Sequence, residues 1–484
     1  MLGGSNKIQR WVAAFLIGPG MAGFLFWGNW FKHLTAIPGT FKSTQTLTFA
    51  KDDRIMILAP HPDDEAIGCA GVIQQAVALG LPVKIVFLTY GDNNQWAFMV
   101  YRKHPVLMPK AVLKMGEVRH TEALEAARVL GVDKSQLIFL GYPDFGALSI
   151  WYARWGEDRP PARSLMTDAR EVPYPDAYRP GAPYRGEEIL KDLRAIIKDF
   201  RPTKIFVSHP GDHNPDHRAL YLFARVAVWD SRPAVNAEIY PYLIHYAKWP
   251  LPRGRHFDKD LIPPKAFQEE IAWRSLTLSD GQVEKKLAAL KNHQSQYRSS
   301  KSYLLTFVRP NELFGDFPVV ALTQNDARQI PGFSREAVPE IPESFMDDER
   351  SKIVGMIERT AEIKEHKLLI TVRLSRPLGK TVGVAVSVFG YREDVLFEKM
   401  PKIRVHLGAL HYRVLDQNRV LPDKNIEVLH GAKEIRVAIP LELMGYPQKI
   451  LTSAQTYLGN FPLDWTSWRI LEVVEPAPLV GVKK

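Results

Sequence analysis

The chain has a single cysteine, so it can form no disulfide bond within itself. We expect that residue, Cys69, to be a small buried hydrophobic side chain rather than a reactive thiol, because free cysteines are among the most buried residues. One cysteine leaves the redox compartment open. The chain also lacks a concentrated basic block, a zinc finger and a helix-turn-helix, so nothing in it predicts binding to nucleic acid.

The composition is ordinary for a large globular protein. The chain has 484 residues, of which 46% are hydrophobic and 24% are charged, which predicts two or three domains with a sizeable core. A formal net charge of +10 favours anionic partners such as acidic lipid headgroups or polysaccharides. Lysine and arginine dispersed over a solvated surface would give the same charge.

An apolar segment from Trp11 to Phe31 follows two basic residues, Lys7 and Arg10, and is long enough for one bilayer crossing. No convincing cleavage site follows it, so residues 1–34 are predicted to be an uncleaved membrane anchor. The interruption Gly18-Pro19-Gly20 leaves open a pair of interfacial helices. With a bacterial cell assumed, we expect an inner-membrane protein whose main domain lies on the periplasmic side, although basic residues flank both ends of the segment.

Strand-like and helix-like segments alternate between residues 50 and 329, which predicts an α/β domain with a Rossmann-like, mostly parallel sheet. No Gly-x-Gly-x-x-Gly motif follows the first strand, so dinucleotide binding is the weaker interpretation. The strand-like runs are 55–58, 83–88, 137–140, 204–207 and 239–246, and the helix-like runs are 66–79, 110–130, 187–200, 218–228 and 280–296.

Beyond a proline-containing linker at 330–342, short strands alternate with polar turns and predict a β-sandwich accessory domain over residues 345–480. Four aromatic residues there could form a carbohydrate platform, or could pack in the core: Tyr412, Tyr457, Trp465 and Trp468. Two long connections, 93–109 and 151–186, are interpreted either as binding lids or as covers of the core.

The motif His61-Pro62-Asp63-Asp64-Glu65 follows the first strand-like run. Pro62 suits a first helical position, and carboxylates are favoured at helix N-termini. An imidazole and a carboxylate bind zinc or a similar divalent ion and leave a coordination position for water, whose proton Asp63 could accept. The alternative is a cluster of N-capping acids beside a buried histidine.

A second cluster, from Ser208 to Arg218, follows the strand-like run 204–207 and contains His209, His213 and His217. Both clusters therefore lie between the carboxyl end of a strand and the next helix, the edge where open α/β sheets place their sites.

With both clusters in view, the chain resembles the PIG-L/LmbE-like family of metal-dependent N-acetylglucosaminyl deacetylases. The resemblance covers about residues 50 to 315. It depends on the first motif and on Asn214-Pro215-Asp216-His217, and further support comes from 88–92, 119–122, 141–144 and 291–296.

The resemblance implies that His61, Asp64 and His217 hold Zn²⁺ or another divalent metal ion. It also implies that Asp63 is the general base and that Asp216 orients a ligand or that base.

The sequence departs from one common form of the family motif at Asn214, where that form has a histidine that helps to polarise the oxyanion. Asn214 can donate a hydrogen bond but cannot give up a proton, so His213 or His209 are candidates for the missing role. His245 could line the pocket or be a core histidine, and His293 is expected at the surface or an interface. Asp92 and Asp144, at further strand ends, are interpreted as turn or cap residues or as contacts to sugar hydroxyls.

The resemblance implies a zinc-dependent hydrolase that removes the N-acetyl group from an N-acetylglucosamine-type sugar in a glycolipid, glycoconjugate or polysaccharide. The expected partners are that N-acetylated glycolipid or glycan and the membrane, through the N-terminal segment. The alternative is a non-catalytic membrane protein that binds metal and glycan. Asp63 favours the enzyme, because a binding protein has no use for a spare carboxylate beside the metal.

Overall fold

The computed structural model describes residues 45–93, 108–331, 354–379, 381–408, 411–422, 425–459 and 461–474. All of these residues lie in one compact unit. The predicted anchor at 1–34 lies outside the described residues, and so does most of the predicted lid at 93–109. Among the helices that are described, none combines the length and the hydropathy needed to span a membrane.

The centre of the fold is a five-stranded parallel sheet in the order β4-β3-β2-β5-β6. Every residue of β2 is buried, which is the pattern expected of a strand covered on both faces. The parallel sheet predicted from the sequence is confirmed. Its strands are β2 (Ile55–Ala59), β3 (Val83–Phe87), β4 (Leu137–Phe139), β5 (Lys204–Ser208) and β6 (Glu238–Tyr242).

Seven helices are described around this sheet. Along α4 the buried residues Ile189, Leu193, Ile196 and Ile197 recur every three or four positions, so one face packs on the core. The helices are α1 (Asp64–Ala78), α2 (Pro109–Leu130), α3 (Ala147–Ala153), α4 (Gly186–Phe200), α5 (Pro215–Ser231), α6 (Asp280–Asn292) and α7 (Gln294–Leu305).

The helix predicted over 280–296 is in fact the end-to-end pair α6 and α7. The chain leaves helical geometry at His293, with φ −73° and ψ 60°. That break turns the side chain of His293 into the core, where it is fully buried. The expectation that His293 lies at the surface or an interface is therefore wrong.

A small sheet flanks α1. Strand β1 (Gln45–Thr46) runs parallel to β7 (Arg274–Thr277), and β8 (Asn311–Phe314) completes the sheet on the other side of β7. From β8, Glu312 accepts a hydrogen bond of 2.9 Å from the backbone N–H of Gly71 and pairs with Lys286 at 2.7 Å. These contacts fix the side of α1 that faces away from the parallel sheet.

The extra strands expected in the C-terminal part are confirmed, and they form two sheets. One has the order β10-β11-β12-β18-β17, and the other runs β16-β15-β14-β13-β19-β21-β9 with β20 paired to β19. Their strands are β9 (Val320–Leu322), β10 (Arg328–Gln329), β11 (Met356–Lys364), β12 (Lys367–Leu374), β13 (Val382–Tyr391), β14 (Lys402–Leu407), β15 (Tyr412–Asp416), β16 (Arg419–Leu421), β17 (Glu427–His430), β18 (Glu434–Pro440), β19 (Lys449–Leu458), β20 (Phe461–Trp465) and β21 (Arg469–Val473).

Both sheets contribute to one buried apolar cluster, to which Ile370 of β12 and Val386 of β13 belong. Strands β9 and β10 lie within the predicted catalytic segment, 50–329, and yet pair into these sheets. The domain boundaries at 329 and 345 stay predictions.

The C-terminal strands pack against α3. The ring centroid of Trp151 lies 5.7 Å from that of Phe389, 5.2 Å from that of Phe397 and 6.0 Å from that of Trp468. Trp468, one of the predicted platform residues, is thus a core residue, 1% exposed. Apolar packing therefore continues from the helices of the parallel sheet into the C-terminal strands.

Candidate metal and catalytic site

The site lies where the loops after β2 and β5 meet. These two strands are neighbours at the centre of the sheet, because the chain passes from β2 towards one edge and returns to β5 on the other side. Such a reversal opens a crevice at the carboxyl ends of the strands. It brings together two motifs that are about 150 residues apart in the sequence.

His61, Asp64 and His217 converge in this crevice. Oδ2 of Asp64 lies 3.2 Å from Nδ1 of His61 and 3.2 Å from Nε2 of His217. One ligand atom from each residue can be chosen so that all three lie within 4.8 Å of one another. The structure thus places all three predicted metal ligands together.

The donor set suits a divalent cation. Two imidazole nitrogens and a carboxylate oxygen are zinc-type ligands, and all three side chains are buried. Both ring nitrogens of His217 are buried without a well-aligned hydrogen bond, although each lies near a carboxylate. Burial opposes the charge of His217, but Asp212 and Asp64 raise its pKa to about 9, which shows how negative this crevice is.

Asp212 orients His217 by contacting its Nδ1, the ring nitrogen that does not face Asp64. Its Oδ2 lies 3.1 Å from Nδ1 of His217 and accepts hydrogen bonds from the backbone N–H groups of Ile244 and His245, at 3.1 and 2.9 Å. A carboxylate fixed by backbone donors holds the imidazole in one orientation. The sequence analysis did not single out Asp212, which stands within the second cluster.

On its other side, His61 faces two further carboxylates. Its Nε2 lies 3.1 Å from Oδ1 of Asp144 and 3.3 Å from Oδ2 of Asp216. These three residues form a second group with ligand atoms within 4.8 Å. Asp144 is thus part of the site. Its place in the loop after β4 was noted from the sequence, whereas its contact with His61 was not.

Asp216 is held by the start of α3. Its Oδ1 accepts a 3.0 Å hydrogen bond from the backbone N–H of Ala147, and Oδ2 accepts one from that of Phe145. Its place beside His61 agrees with an orienting role, which stays a prediction.

Asp63 occupies the N-cap position of α1, but its side chain does not cap the helix. Its φ of 129° is a strained value for a non-glycine residue, and its side chain makes no capping hydrogen bond. The carboxylate instead accepts a 3.2 Å hydrogen bond from Nη2 of Arg119. Burial raises the pKa of Asp63 to about 7, against the opposing effect of Arg119. A carboxylate that titrates near neutrality is suited to general base catalysis.

Arg119 fastens Asp63 to two loops. It is 3% exposed and donates from Nη1 to the carbonyl of Gly91 at 2.7 Å and from Nη2 to that of Pro62 at 2.5 Å. Gly91 has φ +66°, and a Cβ there would lie 2.2 Å from Nη1, so only glycine fits. In the sequence Arg119 stood out only within a supporting family segment.

Two candidate oxyanion donors lie in the loop after β5. Asn214 caps α5, and because its Oδ1 accepts from the backbone N–H of Asp216 at 2.9 Å, its amide group is what remains to donate. The ring of His213 lies between Tyr246 and Trp465, with centroids 5.1 and 5.3 Å away, and its Nε2 is buried without a partner among the described residues. Burial lowers the pKa of His213 to about 4.

The remaining histidines divide into two kinds. His209 packs against Phe267 and Phe317, with centroids 5.6 and 5.0 Å away, and burial lowers its pKa to about 3, so it is a neutral core residue. His245 lies against His217 at a centroid distance of 4.8 Å and so lines the site.

The C-terminal strands also reach this loop. Cζ of Arg218, the residue after His217, lies 4.0 Å from the centroid of Trp465 at the end of β20. Trp465 therefore contacts residues on both sides of the motif that supplies His217. The sequence could not indicate this contact, because Trp465 lies about 250 residues further along the chain.

Residues 56–228 match the sequence model of the PIG-L family, described as GlcNAc-PI de-N-acetylase. A 1D-myo-inositol 2-acetamido-2-deoxy-alpha-D-glucopyranoside deacetylase from Mycobacteroides abscessus is 29% identical over 254 residues, covering 50% of this chain and 81% of that protein. Its counterpart from Mycobacterium leprae is 27% identical over 193 residues, covering 38% of this chain and 53% of that protein.

Two solved structures are also similar to the chain. An N,N'-diacetylchitobiose deacetylase from Pyrococcus horikoshii is 21% identical with a TM-score of 0.34, covering 54% of this chain and 82% of that one. A deacetylase of teicoplanin biosynthesis is 19% identical with a TM-score of 0.32, covering 50% and 84%.

Proposed function

Since the chain contains a PIG-L family domain, and therefore belongs to a family of deacetylase enzymes, we propose that it is a zinc-dependent hydrolase of N-acetylated amino sugars. Its substrate is an N-acetylglucosamine-type sugar in a glycolipid, glycoconjugate or polysaccharide. The observation that carries the proposal is the convergence of His61, Asp64 and His217 beside the carboxylate of Asp63. The names of the relatives, which act on an acetamido sugar, support the substrate class.

His61, Asp64 and His217 would hold the metal ion. When bound there, a zinc ion supplies Lewis acidity that polarises the acetamide carbonyl and makes a water molecule more acidic. Asp212 and Asp216 keep the two imidazoles in place through the contacts already described.

The chain's own groups account for the movement of protons. Asp63 accepts a proton as the water oxygen bonds to the acetyl carbon, and returns it to the nitrogen as the C–N bond breaks. The products are acetate and a free amine. The amide of Asn214 and the imidazole of His213 are the proposed donors to the oxyanion that forms between these two steps.

The test is acetate release from a panel of N-acetylglucosaminyl lipids and oligosaccharides. We expect release by the protein as isolated, loss of release after chelation, and recovery on adding zinc. The Asp63→Asn protein should keep its metal but lose activity by a factor of about 10² to 10⁴, the usual contribution of a general base.

The matched control is Asp133→Asn, which changes an exposed capping residue far from the site. Full acetate release by Asp63→Asn would refute the mechanism. A metal-loaded wild-type protein that binds glycans and releases no acetate from any substrate would support the non-catalytic alternative.

We also propose that residues 1–34 attach the protein to the inner membrane, with the catalytic domain on the periplasmic side. The support is the apolar run between Trp11 and Phe31 in the sequence. The full chain should stay with membranes after an alkaline wash and be digested by protease added to spheroplasts, whereas a chain lacking residues 1–34 should be released. A full chain that washes off would contradict the anchor, and one protected in spheroplasts would contradict the orientation.

A further inference from the structure

Two arginines in the C-terminal sheets are buried without a hydrogen-bonded counter-charge among the described residues. Arg359 of β11 and Arg469 of β21 are each 1% exposed. Among the described residues, no hydrogen-bond partner exists for any of the three guanidinium nitrogens of either side chain. Buried charges in proteins are normally paired, because removing an ion from water is costly.

The two side chains project into the same space. Along β11, Arg359 alternates onto the face of Ala361 and Ile363, and along β21 Arg469 shares the face of Leu471. All three of these apolar neighbours belong to the cluster that lies between the two sheets. The guanidinium groups therefore approach each other from opposite sheets.

A hydroxyl group and an aromatic ring lie beside Arg469, and the charge of Glu270 also acts on it. Thr452 of β19 lies directly opposite Arg469 in the strand pair, is fully buried, and has an Oγ1 with no partner in the described part of the chain. Directly opposed residues carry their side chains on the same face of a sheet. The ring of Phe317 lies under Arg469, with Cζ 3.7 Å from its centroid.

Both arginines keep their charge at neutral pH. Burial and the neighbouring Arg469 lower the pKa of Arg359 to about 9. Burial lowers the pKa of Arg469 to about 10, while Glu270 acts in the opposite direction through space without a hydrogen bond to it. Two positive groups thus face one interior space that also holds an unpartnered hydroxyl donor.

We propose that Arg359, Arg469 and Thr452 form a binding site for one small oxyanion, separate from the deacetylase site. Guanidinium groups bind tetrahedral oxyanions and carboxylates through paired N–H donors, and the threonine hydroxyl supplies a further donor. Because β11 and β21 belong to different sheets, the bound anion joins the two sheets and stabilises this part of the protein.

The test compares the full-length wild type with a double variant, Arg359→Met combined with Arg469→Met. Arg373→Met is the matched control, because Arg373 is a largely exposed arginine of the neighbouring strand β12. The thermal unfolding midpoint is measured against 0 to about 20 mM sulfate, phosphate or acetate at constant ionic strength. Saturation at millimolar concentration distinguishes binding from the general stabilising effect of such salts.

We expect the midpoints of the wild type and the control to rise by several degrees and to saturate, and that of the double variant not to respond. Comparing sulfate and phosphate with acetate distinguishes a site for a tetrahedral anion from a site for a carboxylate. Ion chromatography of desalted, denatured wild-type protein should also find about one anion per chain, which tests the site even if the double variant fails to fold. Thr452→Val should weaken the response. Equal responses of the wild type and the double variant, with no anion released, would overturn the proposal.

Discussion

One side chain, Arg119, fixes the geometry of the proposed base. Its guanidinium group donates to the Asp63 carboxylate and to the carbonyls of Pro62 and Gly91, and so links the loop after β2 to the loop after β3. The strained backbone at Asp63 needs such support, because a residue with φ of 129° holds that conformation only where its surroundings impose it.

Replacing Arg119 by lysine tests this link. Lysine keeps the charge, but a single ammonium group cannot reproduce the planar fork that reaches three acceptors. We expect Arg119→Lys to lower kcat for acetate release by a factor of about 10 to 100, the cost of a small misplacement of a catalytic group, with the metal content unchanged. Arg128→Lys on the same helix, at an exposed position, should behave as the wild type. A kcat equal to that of Arg128→Lys would show that Arg119 does not position the base.

The sequence predicts part of this site for a clear reason. His61, Asp64 and His217 follow two strands, and the carboxyl ends of neighbouring parallel strands meet at one edge. Arg119 and Asp144 could not be assigned in the same way, because their contacts depend on how α2 and the loop after β4 pack. That packing is a tertiary property that no local pattern encodes.

At the scale of elements, a buried pair joins α1 to the junction of α6 and α7. Oε1 of Glu65 lies 2.8 Å from Nε2 of His293, and both side chains are fully buried. Glu65 also accepts a hydrogen bond from the backbone N–H of Asp63 at 3.0 Å. This pair explains why the chain breaks at His293 where the sequence predicted one continuous helix.

Removing one partner of this pair should be costly. His293→Leu leaves the Glu65 carboxylate buried and uncompensated, which typically destabilises a protein by about 3 to 5 kcal/mol. Adding Glu65→Gln removes that charge and keeps an acceptor for Asp63, so the double variant should recover much of the loss. Denaturant unfolding of the three proteins measures both effects. A double variant no more stable than His293→Leu would contradict the explanation.

A second element-scale prediction concerns Asp464 of β20. Its Oδ2 accepts a 2.8 Å hydrogen bond from the backbone N–H of Met356, which ties β20 to β11. Burial raises the pKa of Asp464 from 3.8 to about 6, against the effect of two backbone donors. The folded state therefore binds this proton more tightly than the unfolded state, and its stabilising effect is complete below pH 3.8 and is lost as the pH rises through 6.

Asp464→Asn removes that titration. Relative to the variant, the wild type should lose about 2 kcal/mol of unfolding free energy between pH 4 and pH 7. The amide of the variant can accept from only one of the two backbone donors, so the variant is less stable than the wild type at pH 4. The informative quantity is therefore how the difference in unfolding free energy changes with pH. Asp394→Asn, at an exposed position of the same region, is the control. Parallel stability profiles for the wild type and Asp464→Asn would contradict the predicted titration.

Strands were predicted correctly where apolar and polar residues alternate along the sequence. Strand β12 buries every second residue, which the sequence shows directly, whereas β11 was not predicted. In β11 an inward position is taken by Arg359, which interrupts the apolar period on which a strand prediction depends. Helix α3 was missed because seven residues are too short to show a helical period.

At the scale of the whole molecule, the C-terminal strands support the site from two directions. Trp465 lies over Arg218 and beside His213, next to the loop that supplies His217. Trp468 packs against Trp151 of α3, the helix whose first backbone N–H donates to Asp216. Neither contact could be predicted from the sequence, since each joins segments more than 200 residues apart.

This arrangement predicts that a residue outside the PIG-L segment controls activity. Trp465→Ala removes the ring under the Arg218 guanidinium, an interaction worth about 2 kcal/mol when desolvated, and frees the loop that carries His213. We expect kcat/KM for acetate release to fall about tenfold or more while the metal content stays unchanged. Tyr446→Ala, at an exposed aromatic position in the connection between β18 and β19, should leave both unchanged. If Trp465→Ala were as active as Tyr446→Ala, the prediction that Trp465 controls activity through the loop carrying His213 would be refuted.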